Sequence, residues 1–323
     1  MTSALVGVDV GGTTIEAIVV NGNGLAGQSQ CLTSHAGFDR VVADIARLVE
    51  TTLSDAGRSL DDMTAVGIGL PGQVDPETGW VHHAVNLGVG ANGYPFAAAL
   101  GEILGDPPLA VENDVRAATL GAFEHFADKR PGLRSLAYLS IGTGISAGLV
   151  VDGRLHRGAE GMAGEIGHVE VEPDGPECRC GLRGCLEAVA AGPAIARLWP
   201  GKNPATSLYR AAADGDQAAK AIVARISRIL ANTVQWLVMA SGVEVVVLGG
   251  GVASVGDPFL ASIREHLAER AARSELAALV LPPDKVVLLP SGHPVGAMGA
   301  VELVRRTAAG VGGTTVSQTR GGP

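Results

Sequence analysis

The sequence predicts a duplicated α/β fold, and two observations carry this prediction. Segments with the apolar period of strands alternate with segments that have the period of helices, which is typical of a largely parallel sheet. In addition, the run LAYLSIGTGISAGLVVDG at 136–153 repeats the layout of LVGVDVGGTTIEAIVVNG at 5–22. Both runs contain an apolar strand, a Gly/Thr turn, a second apolar strand and a polar glycine turn. Each half of the chain should therefore open with the same structural unit.

Glycine turns and apolar runs define the individual elements. Apolar residues on both sides of Gly11-Gly12 predict a β-hairpin with strands at Ala4–Val10 and Ile15–Val20. The first half then predicts a helix, two buried strands and a second helix, at Phe38–Leu53, Thr64–Leu70, Leu109–Glu112 and from Val115. The second half predicts, besides the repeated run, a buried strand, a helix and a last helix, at Val243–Leu248, Asp257–Arg273 and Val295–Arg306.

The length and composition of the chain predict two lobes. A chain of 323 residues with 46% hydrophobic residues exceeds what one compact core usually holds. We expect a small first lobe at 1–115 and a larger second lobe at 116–293. The helix at about 294–308 should pack back on the first lobe, and 309–323 should form a disordered tail.

Charge and hydropathy exclude several classes of partner. The chain has 24 basic and 33 acidic residues, and its net charge of -9 would repel a phosphate backbone, so nucleic acid is not an expected partner. The N-terminal run lacks a basic region and contains Asp9, which predicts a buried strand and not a signal peptide. No apolar stretch has the length of a membrane span, and we expect a cytoplasmic protein without membrane contact.

Three glycine turns follow buried strands, at Gly11–Thr14, Gly142–Gly144 and Gly249–Gly251. Glycine leaves the backbone N–H groups open to phosphate oxygens, although any one of these turns alone would be read as an ordinary tight turn. Three such turns, two of them in the repeated unit, predict a triphosphate site. Neither of the two repeated turns supplies a lysine, so Mg²⁺ held through Asp9 and water would neutralise the charge.

The dipeptide Asn113-Asp114 lies between a predicted strand and a predicted helix. An aspartate at this position is a common helix cap, and capping is the favoured interpretation of Asp114 taken alone. Beside a phosphate site, the same carboxylate at the end of a strand can accept the proton of an attacking hydroxyl.

Cysteine and histidine residues cluster in one loop. His168, Cys178, Cys180 and Cys185 offer one imidazole and three thiolates, a closed tetrahedral set suited to structural Zn²⁺. The alternative, three incidental cysteines, is disfavoured by their clustering. Glu165 and Glu187 flank this set, and carboxylates and imidazole suit the vicinal hydroxyls of a sugar. The remaining cysteine, Cys31, is expected to be a buried and inert thiol in a strand.

These motifs resemble the ROK family of sugar kinases and repressors over nearly the whole chain. The resemblance rests on DVGGTT, on the stretch from IGTG to GAEGMAGEIGH, and on the loop CRCGLRGCLE. It implies an actin-like, duplicated α/β architecture of the hexokinase and Hsp70 type, with an interdomain cleft. It also implies a homodimer and an ATP-dependent hexose kinase that phosphorylates the C6 hydroxyl, most often of glucose, at the entry to glycolysis.

Carried over residue by residue, the resemblance makes Asp114 the catalytic base. His168 would serve both the zinc and the sugar. The implied sugar contacts are Asn86, Asn113, Asp114, Glu165, His168 and Glu187. The implied contacts to Mg-ATP are Asp9, Gly11, Gly12, Thr13, Thr14, Thr143 and Gly144 at the phosphates and Gly249 and Gly250 beside the adenosine.

The sequence leaves several alternatives open. Thr14, Ser146-Ala147 and Ala191 depart from residues that are common in the family, which bears on the choice of phosphoryl donor. N-acetylglucosamine, N-acetylmannosamine or another hexose is the alternative substrate, because these kinases differ in pocket volume. A sugar-sensing repressor is disfavoured by the charge and by the four residues that precede the first strand. A polyphosphate donor is disfavoured by the absence of a basic run.

Overall fold

The computed structural model describes residues 4–22 and 24–309. Within them the chain forms two compact units. The first takes in the described residues of Met1–Pro131, Arg157–Met162 and Pro294–Pro323, and the second consists of Gly132–His156 and Ala163–His293. The predicted lobes at 1–115 and 116–293 stay a prediction, because packing does not report independent folding. The predicted disordered tail lies outside the described residues, apart from Ala309.

The described residues contain twelve strands and ten helices, numbered here in chain order. The strands are β1 (Ala4–Val10), β2 (Thr14–Asn21), β3 (Gly24–Leu32), β4 (Met63–Leu70), β5 (Gln73–Val74), β6 (Val81–His82), β7 (Leu109–Asn113), β8 (Leu136–Ile141), β9 (Ile145–Val151), β10 (Arg154–His156), β11 (Val245–Gly249) and β12 (Val286–Leu288). The helices are α1 (Phe38–Asp55), α2 (Phe96–Leu104), α3 (Asp114–Ala127), α4 (Leu186–Ala190), α5 (Gly192–Leu198), α6 (Pro204–Ala213), α7 (Gln217–Ser241), α8 (Asp257–Ala271), α9 (Glu275–Val280) and α10 (Val295–Ala308).

The two units contain sheets of the same topology. The first sheet has the order β3-β2-β1-β4-β7 and the second has the order β10-β9-β8-β11-β12. In each sheet three antiparallel strands are followed by two parallel ones. The predicted duplication is confirmed, because β1 and β2 correspond to β8 and β9 in both order and direction. The elements predicted from the sequence are also confirmed, with ends that differ by one or two residues.

The first sheet is covered on both faces. Its β1 strand places Ala4, Val6, Val8 and Val10 in a core with α1 and α2, and all four are fully buried. The alternate residues, including Asp9, point to the opposite face because side chains alternate along a strand. That face is covered by α3 and α10. The alternation therefore places the one carboxylate of β1 on the α10 side of the sheet.

Helix α10 approaches the first unit closely through glycines. A Cβ at Gly7 or Gly67 would overlap the backbone carbonyls of α10, and a Cβ at Gly299 would overlap the carbonyl of Ala117 in α3. Only glycine permits backbone contact at this distance. The last helix is thus a structural part of the unit that begins with β1.

The second unit has its own core. Apolar residues of β8, β9 and β11 pack against α4, α5, α7 and α8. The largest helix of the chain, α7, ends at Gly242, which has the left-handed conformation (φ 67°) typical of a glycine that terminates a helix. In the described part of the chain, no helix combines the length and apolarity that a membrane span requires.

Candidate functional site

Two hydrogen bonds to Gly11 fix the conformation of the turn between β1 and β2. The Gly11 N–H donates to the Thr14 carbonyl at 2.9 Å, and Thr33 Oγ1 donates to the Gly11 carbonyl at 2.8 Å. Thr13 and Gly12 are exposed. No described atom lies within 4 Å of a Cβ built on Gly12. The fold itself therefore does not need glycine at position 12, whereas a ligand that approaches the backbone would.

Asp9 is the last residue but one of β1, just before this turn. Its carboxylate lies against Gly296 in the first turn of α10, and Glu16 is its partner residue across the β1–β2 pair. The residue keeps some exposure, but its carboxylate lies deep among protein atoms. Burial, together with the charges of Asp114 and Glu16, raises the pKa of Asp9 to about 8. Crowded carboxylates of this kind fit a hard divalent cation, because Mg²⁺ prefers oxygen ligands.

The Asn113-Asp114 pair lies at the end of β7, the next strand but one from β1. Gly69 of β4 separates the two aspartates, since a Cβ at Gly69 would lie 3.4 Å from Asp114 Cα and 3.5 Å from Asp9 Oδ1. Parallel strands bring their carboxyl ends to the same edge of the sheet, and ligands bind there. The structure thus brings Asp9 and Asp114 together at the edge predicted for phosphate chemistry.

Asn113, and not Asp114, is the N-cap of α3. Asn113 Oδ1 accepts hydrogen bonds from the backbone N–H groups of Val115 at 3.1 Å and Arg116 at 3.2 Å. Its Nδ2 donates to the carbonyl of Gly72 at 3.1 Å. Asp114 is the first residue of the helix, and its Oδ1 accepts from its neighbour Val115 at 2.9 Å. The helix starts one residue earlier than predicted, because the amide of Asn113 takes over the cap.

Asn86 lies in a 3₁₀ turn, Val85–Leu87, that follows β6 in the first unit. The turn is anchored by buried Leu87 and Val89, whereas Asn86 is exposed. An exposed amide on an anchored turn can reach a ligand, so its predicted contact with the sugar stays a prediction.

In the second unit, the β8–β9 turn is bound to Glu187. The Gly142 N–H donates to the Gly144 carbonyl at 2.9 Å, and the Ile145 N–H donates to Glu187 Oε2 at 3.1 Å. A Cβ on Gly144 would lie 2.5 Å from the same carboxylate oxygen. A Cβ at this position would therefore have to displace the end of the Glu187 side chain, and Thr143 is the exposed residue of this turn.

The GEIGH motif packs on β9 through its two glycines. A Cβ on Gly164 or Gly167 would overlap backbone carbonyls of Ala147 or Ile145. This close approach fixes the 3₁₀ turn Ile166–His168, with Glu165 as the residue before it. Cβ of Glu187 lies 3.5 Å from the Cβ position of Gly167. The structure thus brings the predicted Glu187 and the GEIGH motif together in the second unit.

The predicted metal ligands form one cluster. One ligand atom each from His168, Cys178, Cys180 and Cys185 lies within 4.8 Å of all the others. Cys178 Sγ is 3.6 Å from His168 Nδ1, and Cys180 Sγ is 3.7 Å from Cys185 Sγ. Burial raises the pKa of the Cys185 thiol to about 12, and hydrogen bonds with Cys180 and Cys178 also raise it. Three thiols and an imidazole at these distances fit a soft tetrahedral cation that would displace the thiol protons.

A cavity of about 720 Å³ opens beside the β8–β9 turn, and among its lining residues the sequence predicted only Thr143 as a ligand contact. Helices α5 and α6 begin at its wall, as does the turn after β11. The lining residues are Gly142, Thr143, Gly192, Pro193, Ala196, Asn203, Pro204, Ala205, Thr206, Gly251, Val252 and Ser254. The sequence signals for it were the glycine turns at 142–144 and 249–251.

The three glycines of that turn have different surroundings. A Cβ on Gly249 would overlap the ring of Tyr138, and Gly250 has a positive φ of 85° with the backbone of Ile141 beside it. Gly251 has no described atom within 4 Å of its Cβ position, and it lines the cavity. The predicted placement of Gly249 and Gly250 beside an adenosine stays a prediction, and Gly251 is the glycine that faces the cavity.

Cys31 lies in β3, as predicted, and is partly buried. Burial raises the pKa of its thiol, and the charge of Asp44 raises it further. A thiol with a raised pKa carries little thiolate and reacts slowly. The thiol is less buried than predicted, and its inertness stays a prediction.

Two sheets of one topology, each with a glycine turn after its first strand, define the class of protein as a duplicated, actin-like α/β fold. The ROK family model matches residues 5–307, so the chain belongs to the ROK family. This confirms the family and the fold that the motifs indicated.

Individual relatives support the same assignment. The chain is 33% identical to a glucokinase of Halalkalibacterium halodurans, over 81% of this chain and 84% of that protein. It is 33% identical to an N-acetylmannosamine kinase of Vibrio cholerae, over 76% and 83% of the two chains. Among solved structures, a ROK family glucokinase of Streptomyces griseus in complex with glucose and AMPPNP has a TM-score of 0.77 and 28% identity, and the match covers 94% of this chain and 100% of that one.

Proposed function

We propose that this protein is an ATP-dependent hexose kinase that transfers the γ-phosphoryl group to the C6 hydroxyl of a hexose, with glucose as its preferred substrate. The observation that carries the proposal is that Asn113, and not Asp114, is the N-cap of α3. Asn113 caps α3, so the Asp114 carboxylate at the end of β7 is not needed as the cap. The names of the relatives supply the reaction class and the leading substrate.

The residues of the first unit suggest how the reaction proceeds. Asp114 would accept the proton of the attacking hydroxyl, since a base must lie within hydrogen-bond reach of that proton. The exposed N–H groups of the β1–β2 turn would bind phosphate oxygens, with Thr14 closing the turn. Asp9 would hold Mg²⁺ through water, and the cation would neutralise charge on the transferring phosphoryl group. The raised pKa of Asp9 supports this role, because a cation would relieve the same crowding of carboxylates that favours its proton.

We further propose that the cluster of His168 and three cysteines binds one structural Zn²⁺. The metal would fix the loop that follows the GEIGH motif, and with it the ring of His168. Because Nδ1 of His168 faces Cys178, the Nε2 atom is the one left for a sugar hydroxyl. Glu165 and Glu187 would contact neighbouring hydroxyls of the same sugar.

The cavity in the second unit is the proposed site of the nucleoside part of ATP. Its volume of about 720 Å³ is in the range of cavities that hold small ligands. Gly142 and Gly251 line it without steric need for glycine in their surroundings, since the nearest described atom is 3.7 Å from the Cβ position of Gly142. Open backbone at two glycine turns favours a ligand that lies flat against both.

An N-acetylated hexose, in particular N-acetylmannosamine, is the second candidate substrate. The specific observation in its favour is a curated relative of that name at the same 33% identity as the glucokinase relative. We also propose a cytoplasmic homodimer that acts at the entry to glycolysis, as the family resemblance implied. Light scattering at assay concentration tests the dimer, and a monomer would contradict it.

The deciding experiment is an ADP-release assay with purified protein and a panel of sugars. The panel should contain glucose, mannose, N-acetylglucosamine and N-acetylmannosamine, with ATP or polyphosphate as donor. We expect the highest kcat/KM with glucose and ATP. A highest kcat/KM with N-acetylmannosamine would replace the substrate, and no ADP release with any sugar would contradict the kinase assignment.

A further inference from the structure

A carboxylate without exposed surface lies directly before the Asn113-Asp114 pair. Both oxygens of Glu112 accept charge-assisted hydrogen bonds, Oε1 from Arg116 Nε at 2.7 Å and Oε2 from Arg157 Nε at 2.6 Å. Oε1 also accepts from the backbone N–H of Asn113 at 2.9 Å. The exposed fraction of the side chain is 0% for Glu112, 4% for Arg116 and 24% for Arg157. A buried carboxylate requires such partners, since removing them leaves an uncompensated charge.

The first of these ion pairs bridges the strand–helix junction that carries the proposed base. Glu112 belongs to β7 and Arg116 to the first turn of α3, so their contact spans Asn113 and Asp114. The hydrogen bond from the Asn113 N–H to Glu112 fixes the backbone between them. The ion pair therefore limits how far the Asp114 backbone can move.

The same cluster holds a distant segment of the chain. Arg157–Met162 belongs to the first unit, whereas the residues before and after it belong to the second. Arg157 binds Glu112 at the start of the segment, and Arg116 Nη1 donates to the carbonyl of Gly161 at 2.6 Å near its end. Glu165 follows the segment after three residues, so the anchored backbone leads directly to the GEIGH motif.

A contribution to stability does not by itself explain why this buried ion cluster is present. Well-packed apolar residues often replace a buried ion cluster without loss of stability, so such clusters are weak evidence for a stabilising role. Glu112 has the lowest exposure of any carboxylate among the ion pairs of the described residues, and it lies at the end of the strand that carries the proposed base. A network with fixed geometry suits the control of position.

We propose that Glu112, together with Arg116 and Arg157, is a positioning cluster for the transfer reaction. It holds the base-bearing turn of Asp114 and the segment Arg157–Met162 of the same unit in one arrangement. The proposal rests on the proposed kinase function and extends it to residues that do not touch the substrate. Small displacements of reacting groups lower the reaction rate by large factors, so loss of the positioning cluster should lower kcat/KM.

The test is Arg157→Met, which removes the most exposed member and leaves the neutral Glu112–Arg116 pair to support folding. We expect kcat/KM for the hexose to fall by about 10-fold or more, with KM for ATP changed by less than about 2-fold. Arg157→Lys should recover part of the loss. Hydrogen exchange of the backbone in 157–168 should be faster in Arg157→Met than in the wild type.

The control is Glu302→Gln in the same unit, where Arg306 joins Glu302 and Glu124 in a comparable cluster. It should leave both KM values unchanged. An equal fall in hexose kcat/KM in Glu302→Gln would overturn the proposal in favour of general destabilisation, and unchanged kinetics and exchange in Arg157→Met would also overturn it. A wild type without hexose kinase activity would refute the proposed function. Faster backbone hydrogen exchange in Arg157→Met would still show that the positioning cluster holds the segment.

Discussion

The β1–β2 turn and the β8–β9 turn have the same place in two sheets of identical order, yet their surroundings differ. The first turn is open at Gly12 and lies beside the carboxylates of Asp9 and Asp114. The second turn is closed at Gly144 by Glu187, which in turn lies beside the GEIGH motif. Duplication supplied one scaffold twice, and the side chains around each copy differ: carboxylates lie beside the first turn, and Glu187 and the GEIGH motif lie beside the second. Under the proposed function, the first unit would serve phosphoryl transfer and the second would bind sugar and metal.

The largest effect should come from Asp114→Asn in the first unit. A general base contributes about 10²–10⁴-fold, so kcat should fall by that factor. The Tm should stay almost unchanged, because Asn113 provides the cap of α3. Steady-state kinetics and thermal unfolding measure both quantities.

The matched control is Asp257→Asn, because Asp257 is also an acidic first residue of a helix, α8, in the other unit. It should keep wild-type kcat. More than about a tenth of wild-type kcat in Asp114→Asn would rule out the base and return Asp114 to a structural role.

The second prediction concerns the metal in the other unit. Protein purified without added zinc should contain close to one zinc per chain, and Cys180→Ser should lose most of it, because a structural site needs all four ligands. KM for the hexose should rise by about 10-fold or more, since losing a group that orients a metal site typically costs about 10–100-fold in metal affinity or activity. KM for ATP should change less.

Cys31→Ser is the control, since Cys31 lies in β3 of the first unit and outside the cluster. It should retain the zinc and both KM values. Metal analysis that finds no zinc in the wild type would contradict the site.

A pair of alanine variants tests the comparison of the two turns directly. Gly12→Ala adds a methyl group where no described atom lies within 4 Å, so it should leave Tm unchanged and raise KM for ATP by several-fold. Gly144→Ala places the methyl group 2.5 Å from Glu187 Oε2, so KM for the hexose should rise as well. Equal effects of the two variants on both substrates would show that the turns do not differ in the way described.

The smallest effect is expected from Asp9→Asn on stability without magnesium. The folded-state pKa of about 8 lies above the ordinary value of 3.8, so the folded state binds the extra proton and wild-type stability falls as pH rises between these values. Asparagine has no such dependence. The variant should therefore be more stable, by about 2–4 °C or more in Tm at pH 8, with a smaller difference at pH 5.

Thermal unfolding in magnesium-free buffer at both pH values measures this effect. Asp152→Asn, at an exposed carboxylate, should show no such change. A difference between Asp9→Asn and the wild type that does not grow with pH would contradict the raised pKa.

The sequence predicted the features that are written in short stretches of chain. The two hairpins, the helix that starts near Asp114 and the cluster of His168 with three cysteines all follow from local period and spacing. Their roles in substrate binding remain predictions, because they depend on groups that meet only with a ligand present.

Contacts between residues that are distant along the chain could not be predicted from the sequence. Arg157 is 45 residues from Glu112, and no periodicity relates an ion pair of that separation. Gly251 could not be distinguished from Gly249 and Gly250, because only the neighbours of each glycine in space show which one faces a cavity. The cap of α3 was misplaced by one residue, because both Asn and Asp are good caps and the sequence alone does not rank them.

The close packing of α10 against β1, β4 and α3 has a consequence for synthesis. A ribosome makes the strands of the first unit well before it makes α10, the helix that covers one face of their sheet. Until then only α3 can cover the face that contains Gly7 and Gly67, and exposed apolar surface favours aggregation in incomplete chains. The core of the second unit does not include α10, so it can form while the first unit still lacks this helix. Nascent chains stopped before Val295 should therefore recruit chaperones through the first unit.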